Sequence, residues 1–151
     1  MVTIRNETEA DYPRVEDLTR RAFYNLYVPG CHEHYLVHIM RDHRDFLPEL
    51  SFVLELDGEI AGSILYTRAS LEGKNGQRKD ILTFGPLCVA PERQRQGYGK
   101  ALIEHSFAKA GALGWEAVVI FGAPANYVGR GFQCCKRYQV QMEDGSCPTA
   151  M

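Results

Sequence analysis

Nowhere in its 151 residues does this chain carry an apolar run long enough to cross a bilayer. The longest uncharged, mostly apolar stretch of its C-terminal half, Ala117 to Ala125, is about half a bilayer span. The opening Met-Val-Thr-Ile-Arg-Asn-Glu has no basic segment followed by an apolar core, so no secretory signal is read there. Charge of one sign is scarce too. Lys and Arg number 17 against 19 Asp and Glu, and the formal net charge of -2 gives no global attraction to nucleic acid or to an anionic membrane. The cysteines (Cys31, Cys88, Cys134, Cys135 and Cys147) are odd in number and show no repeated C-x-x-C spacing. That excludes a disulfide scaffold and a tetrathiolate zinc site, and reads as free thiols in a reducing cytoplasm. There is no repeat, no low-complexity tract and no linker. What is present is a 45% hydrophobic composition in a length suited to one domain, enough to bury about two-thirds of the unfolded surface. The expectation is one cytoplasmic domain over residues 1–151.

The first strand is expected at Val2 to Arg5. Thr8, with Asp11 three residues on, resembles a helix N-cap, and Pro13 falls early enough to be tolerated. Val15, Leu18, Thr19, Ala22 and Phe23 then follow the spacing of one buried helical face. A second helix is expected from about His34 to Asp45, with Leu36, Ile39 and Met40 on one side. Ser51 to Leu56 and Ile60 to Arg68 read as strands joined by the Asp57-Gly58 hairpin signal. Polar Leu71 to Asp80 reads as an exposed turn. The next strand, Ile81 to Val89, is interrupted by Gly85-Pro86, where a central strand should bulge or lose its partner. Gly97 to Leu113 is the longest helix, closed by Gly114, and Trp115 to Phe121 is a strand covered on both faces. A short helix at Asn126 to Arg130 leads to a last strand, Phe132 to Val140. The order β-α-α-β-β-β-α-β-α-β predicts a mixed α/β (α+β) domain around one sheet.

Chemistry concentrates in Leu87-Cys88-Val89-Ala90-Pro91-Glu92-Arg93-Gln94-Arg95-Gln96-Gly97-Tyr98-Gly99-Lys100, a strand, a basic glycine-containing turn and a helix start. A helix's first turn offers backbone N–H groups without intrahelical partners, and glycine lets an anion approach them, so a phosphate is the expected guest. A Walker loop fails because Lys100 is followed by Ala101 rather than a hydroxyl residue. A dinucleotide fingerprint fails because its third glycine would stand at Leu102.

Gln94-x-x-Gly97-x-Gly99 after Gly85-Pro86-Leu87 resembles the acyl-CoA pyrophosphate loop of the GNAT N-acetyltransferase superfamily. Tyr127-Val128-Gly129-Arg130-Gly131-Phe132 is similar to its second signature, and Phe84 to Pro91 is most like the bacterial YhbS-like branch. The resemblance implies a mostly antiparallel sheet flanked by helices and splayed between its fourth and fifth strands. It implies acetyl-CoA as acyl-donor cosubstrate, no metal, and transfer of the acetyl group to a primary amine by direct attack in a ternary complex. Pantetheine would pair with Leu87, Cys88 and Val89. The pyrophosphate would lie on backbone N–H groups of Arg95, Gln96, Gly97, Tyr98, Gly99 and Lys100, with side-chain contacts from Gln94, Arg95 and Lys100. Tyr127 occupies the general-acid position, and Asn126 substitutes for an asparagine many relatives carry where Gly122 stands. A phenol of pKa around 10 is a weaker acid than the thiol of about 8.5 that it must form, so orientation should matter more than acidity.

No general base is singled out: Glu33, His34, Asp80, Cys88 or a water relay could serve. Cys31-His32-Glu33-His34-x-x-x-His38 invites a metal, but the H-E-x-x-H order fails at Leu36. A nucleophilic Cys88 or Cys134 has no adjacent His in sequence. The expected partner is a small-molecule or peptide amine, with no nucleic acid and no membrane. Gly129-Arg130-Gly131 and the unassigned base leave an alternative, a catalytically inactive CoA-binding sensor or regulatory module. The family usually closes with a two-strand hairpin, and only Pro148 to Met151 stands where its second strand should begin. A missing or shortened last strand is expected, its edge exposed or covered by a neighbouring chain, as in a homodimer.

Overall fold

Alternation of side chains along three consecutive strands builds the sheet and decides what lies on each face. The structure is a computed structural model that describes residues 1–26, 28–121, 127, 131–133, 135 and 140–142. Strand β1 (Val2–Asn6) is followed by a short 3-10 turn (Glu9–Asp11), helix α1 (Tyr12–Phe23) and helix α2 (Glu33–Met40). Strands β2 (Phe52–Leu56), β3 (Glu59–Glu72) and β4 (Arg78–Val89) come next, then helix α3 (Tyr98–Ala112). The four strands lie in the order β1-β2-β3-β4, each antiparallel to its neighbour. The Asp57-Gly58 turn takes φ of 50° and 87°, the left-handed pair that a tight hairpin needs.

Odd and even positions sort the core. Val53 and Leu65 pack with Val15 and Val37 beneath α1 and α2, and Cys88 and Ala90 with Leu18 of α1. Leu54, Ile64 and Tyr66 face the other way, onto Leu102 and Ile103 of α3. The Tyr66 hydroxyl meets Ser106 Oγ at 2.8 Å, and burial pushes this phenol up to about 12, so it stays neutral. Gly62 matters to the spacing: a Cβ there would stand 3.0 Å from Leu102 Cδ1 and 3.3 Å from the Cys88 carbonyl oxygen. Its absence lets α3 sit close on β3, which fixes where α3 begins relative to the end of β4.

The expected bulge is present. Ile64 pairs with Leu87 and Tyr66 with Phe84, so three steps of β4 answer two of β3, and Gly85-Pro86 lies in the excess. The splay follows from the next pairing. Val118 forms a parallel bridge with Leu82, with Leu82 N–H donating to Ala117 O at 3.1 Å and Val119 N–H to Leu82 O at 2.9 Å. Among the described residues this is the one bridge between β4 and residues 115–121, so the two segments do not form a ladder. The sheet opens just where β4 bulges.

Three expectations change. The polar stretch Leu71 to Asp80 is largely strand: β3 and β4 extend to a turn at 73–77, closed by Gly73 N–H on Gln77 O at 2.7 Å. Alternating Arg68, Ser70 and Glu72 keep this arm in water, and exposed pairing has no apolar signature. Helix α2 stops at Met40, short of Asp45, and its buried residue is Val37, while Leu36 and Ile39 are exposed. Leu113 falls beyond the end of α3 and is exposed, with Gly114 at φ 91° turning the chain. The helix expected at Asn126 to Arg130 lies outside the described residues except for Tyr127, which is helical. No described residue between Phe132 and Val140 is in a strand. The rest of that expected strand, and the shortened one after it, lie outside the described residues.

Candidate active site

The ladder alternates, so β4 directs its backbone groups to two sides. Ala90 N–H donates to Ala61 O at 2.7 Å, which makes Gly62 and Val89 a pair not bonded to each other. Cys88 therefore spends its N–H and C=O on Ser63 of β3. Leu87 and Val89 direct theirs to the opposite edge, where the sheet has opened. The side chain of Gln94 returns to this edge, its Nε2 donating to Val89 O at 3.2 Å. Gln96 similarly reaches Glu92 O at 3.5 Å. Both glutamines brace the turn from within.

Beyond β4, a short 3-10 turn (Pro91–Arg93) leads to Arg95 at φ 61° and Gly97 at φ 88°. Two left-handed residues so close together curl the backbone into the kind of concavity in which N–H groups gather around an anion. Gly97 is the N-cap of α3 and offers no side chain to cap it. No acid stands in the first turn; Lys100 does, 3.8 Å from Glu104. An isolated helix would prefer the reverse charge at its positive end. Arg95 pairs with no carboxylate among the described residues. A cation and uncapped amides at one helix start are suited to a bound phosphate.

On the α2 side of the opening lies a cleft of about 940 Å³. Phe23, Leu36, Ile39 and Met40 form one wall, and Phe84, Pro86 and Leu87 of β4 the floor. Ile120, Phe121 and Tyr127 stand opposite. The Tyr127 ring lies 6.2 Å from Phe84 and 5.6 Å from Phe132, centroid to centroid, and its carbonyl accepts the Phe132 N–H at 3.3 Å. Leu87 and Tyr127, 40 positions apart, thus line one cavity. Asn126 lies outside the described residues.

Of the residues considered as base, only Glu33 lines the cleft; one of its carboxylate oxygens accepts the His32 N–H at 3.0 Å. His34 is turned to Cys31, Nδ1 to Sγ 3.0 Å, and Asp80 sits at the exposed start of β4, paired with Ser70. Cys88 is buried under α1, its Sγ 3.2 Å from Ser63 Oγ and 3.7 Å from Thr19 Oγ1. Burial raises this thiol above its ordinary value, which disfavours the thiolate that a base or nucleophile requires. Cys134 lies outside the described residues. His38 contacts Glu16 at 3.0 Å, away from His34, and no group of three metal-ligating side chains occurs among the described residues.

Two titratable cleft residues gave no signal in the sequence. His43 and Asp45 follow α2, and His43 Nδ1 accepts the Asp45 N–H at 3.1 Å. That contact leaves the neutral ring its proton at Nε2. One signal was available for the wall. Leu36, Val37, Ile39 and Met40 cover more of an eight-residue helix than one core-facing stripe requires.

Comparison with known proteins places these features in a family. The model of the acetyltransferase (GNAT) family matches residues 14–132. A curated relative from Escherichia coli strain K12, described as the uncharacterized N-acetyltransferase YjhQ, is 34% identical over 89 residues, 58% of this chain and 48% of its own. The chain thus spans about half the length of that relative. Among solved structures, a GNAT family acetyltransferase from Brucella melitensis in complex with acetyl-CoA superposes with a TM-score of 0.76 at 29% identity. It covers 88% of this chain and 83% of that one. The GNAT family N-acetyltransferase YhbS from Escherichia coli, in complex with CoA, gives 0.83 at 24% identity over 99% and 78% of the two chains, a likeness of fold. No helix among the described residues is long and apolar enough to cross a membrane.

Proposed function

The chain belongs to the acetyltransferase (GNAT) family, and from that premise we propose that it transfers an acetyl group from acetyl-CoA to a primary amine by direct attack in a ternary complex. One observation carries the reading: the edge of β4 turned away from β3 at Leu87 and Val89 runs into the uncapped, cationic start of α3. A pantetheine arm ending in a pyrophosphate has that sequence of needs, amide pairing first and anion binding after. Acetyl-CoA supplies the thioester; transfer forms a C–N bond and breaks C–S, with one proton leaving nitrogen and one reaching sulfur.

Each group of the chain then has a task. Leu87 and Val89 pair with amides through their backbone, while Cys88 holds β4 to β3. Backbone N–H groups from Arg95 to Lys100 hold the pyrophosphate, with Arg95 and Lys100 adding charge. Gln94 and Gln96 keep that turn in shape. Tyr127, set between Phe84 and Phe132, delivers the proton to the departing sulfur. Glu33 and Asp45 hold the acceptor's ammonium and pass its proton to water. Calorimetric titration tests the donor site: acetyl-CoA and CoA should both bind, and a folded sample that binds neither at high micromolar concentration overturns the proposal.

Lys100→Glu separates this site from an ordinary helix start. A carboxylate there suits the helix dipole, and the exposed Lys100–Glu104 pair it removes is weak, so stability should change by less than about 0.5 kcal/mol. CoA affinity should fall about tenfold at low salt, and the gap should narrow as salt is raised. A sensor module without catalysis would show the same binding and no acceptor-dependent thiol release. Three titratable side chains in the cleft with Tyr127 favour turnover.

A further inference from the structure

The cleft beside Tyr127 carries more information about the acceptor than its volume. Leu36 and Ile39 are 46% and 45% exposed and Phe121 64%, yet all three line the same cavity. An eight-residue helix that presents such side chains to water, with Val37 alone buried, gains nothing for its own packing. Apolar walls of this kind bury an apolar guest.

Charge restricts the guest further. Among the described residues, the charged or titratable ones that line the cleft are Glu33, His43, Asp45, Arg68 and Tyr127. The backbone N–H of Arg68 donates to Asp45 O at 2.8 Å. Its guanidinium lies 6.0 Å over the Trp115 ring, and Trp115 packs with the core beneath α3. Thr67, the preceding residue, faces the cleft from the opposite side of β3. The guanidinium is thus held toward Trp115, and Glu33 and Asp45 outnumber it in the cleft.

We propose that the acceptor is a monoamine on an apolar body, aromatic or branched, that carries no carboxylate or phosphate of its own. This inference rests on the acetyltransferase reading and names the substrate class of that site. Its ammonium lies by Glu33 and Asp45, and its body lies against Leu36, Ile39 and Phe121. An amino acid with a free carboxylate meets two like charges there, those of Glu33 and Asp45. A polyamine or aminoglycoside leaves surplus ammonium groups against apolar walls.

The test is a matched series with acetyl-CoA: ethylamine, 2-phenylethylamine, phenylalanine and phenylalanine amide. 2-Phenylethylamine should exceed ethylamine at least about tenfold in kcat/KM, because the ring buries the equivalent of several methylenes. Phenylalanine should fall at least about tenfold below 2-phenylethylamine, and its amide should recover most of that loss. In the double variant Glu33→Gln, Asp45→Asn the penalty on phenylalanine should shrink. Acetylation of phenylalanine or spermidine in preference to 2-phenylethylamine overturns the acceptor class and leaves acetyl transfer standing. The same amines titrated into the CoA-bound protein give a reading that needs no turnover. There, 2-phenylethylamine binding no tighter than ethylamine overturns the inference, while CoA failing to bind removes the acetyltransferase reading itself.

Discussion

Tyr127→Phe should lower kcat about a hundredfold while leaving the KM for acetyl-CoA within about threefold. The ring is held by Phe84 and Phe132, and phenylalanine keeps those contacts, so the variant differs by one hydroxyl at the cleft. If that hydroxyl delivers the proton to sulfur, the loss falls on the chemical step and grows with the basicity of the departing thiolate. A packing tyrosine would instead lose stability and keep its turnover. Tyr66 is the internal control. It is fully buried, its hydroxyl is on Ser106, and Tyr66→Phe should cost about 1 kcal/mol of stability without entering the kinetics. Unchanged kcat in Tyr127→Phe, with chemistry shown to be rate-limiting, would remove Tyr127 from the mechanism.

Arg41→Met should cost about 3–5 kcal/mol of stability at neutral pH, the largest loss expected of any single change considered. Arg41 follows α2 and is 5% exposed. It grips Glu7, itself 3% exposed, through Nε at 3.1 Å and a second nitrogen at 2.9 Å, and reaches Glu16 at 2.7 Å. Its guanidinium also stacks 3.8 Å from the Tyr12 ring centroid. Burial raises the Glu7 carboxyl above the ordinary carboxylate value, more than Arg41 lowers it. Folded Glu7 thus binds a proton more readily than unfolded Glu7. Its contribution favours folding at low pH and is lost as pH rises from the unfolded value through the folded one. Without Arg41 the folded value climbs further, so the deficit should be smaller at about pH 5 than at about pH 7. Adding Glu7→Gln to Arg41→Met should recover much of the loss, because no buried charge is then left unpaired. Since Arg41 anchors the end of the helix that carries Glu33, Leu36 and Ile39, the single variant should also raise the acceptor KM more than the acetyl-CoA KM.

None of that network was visible in the sequence, because Glu7 and Arg41 meet only once α1 and α2 have packed. Local chemistry was legible. Asp57-Gly58 can hardly form anything but a tight turn, Gly85-Pro86 cannot continue a ladder, and Gly97 and Gly114 mark the ends of α3. What failed was inference from polarity or apolarity alone. The β3–β4 arm is polar because water covers it, and Leu36 and Ile39 are apolar because a cleft faces them. Leu87 and Tyr127 were placed by family likeness, and the fold brings them into one cavity. His43 and Asp45 had no pattern to announce them; their place depends on where α2 stops.

Buried Cys88 and the open cleft beside Tyr127 both bear on whether the acceptor attacks the thioester directly or a covalent acyl-enzyme comes first. Initial rates of thiol release over a grid of acetyl-CoA and amine concentrations decide it. Direct attack in a ternary complex predicts double-reciprocal lines that intersect, with one acetylated amine formed per thiol released. Parallel lines, or thiol release that does not depend on the amine, would contradict it.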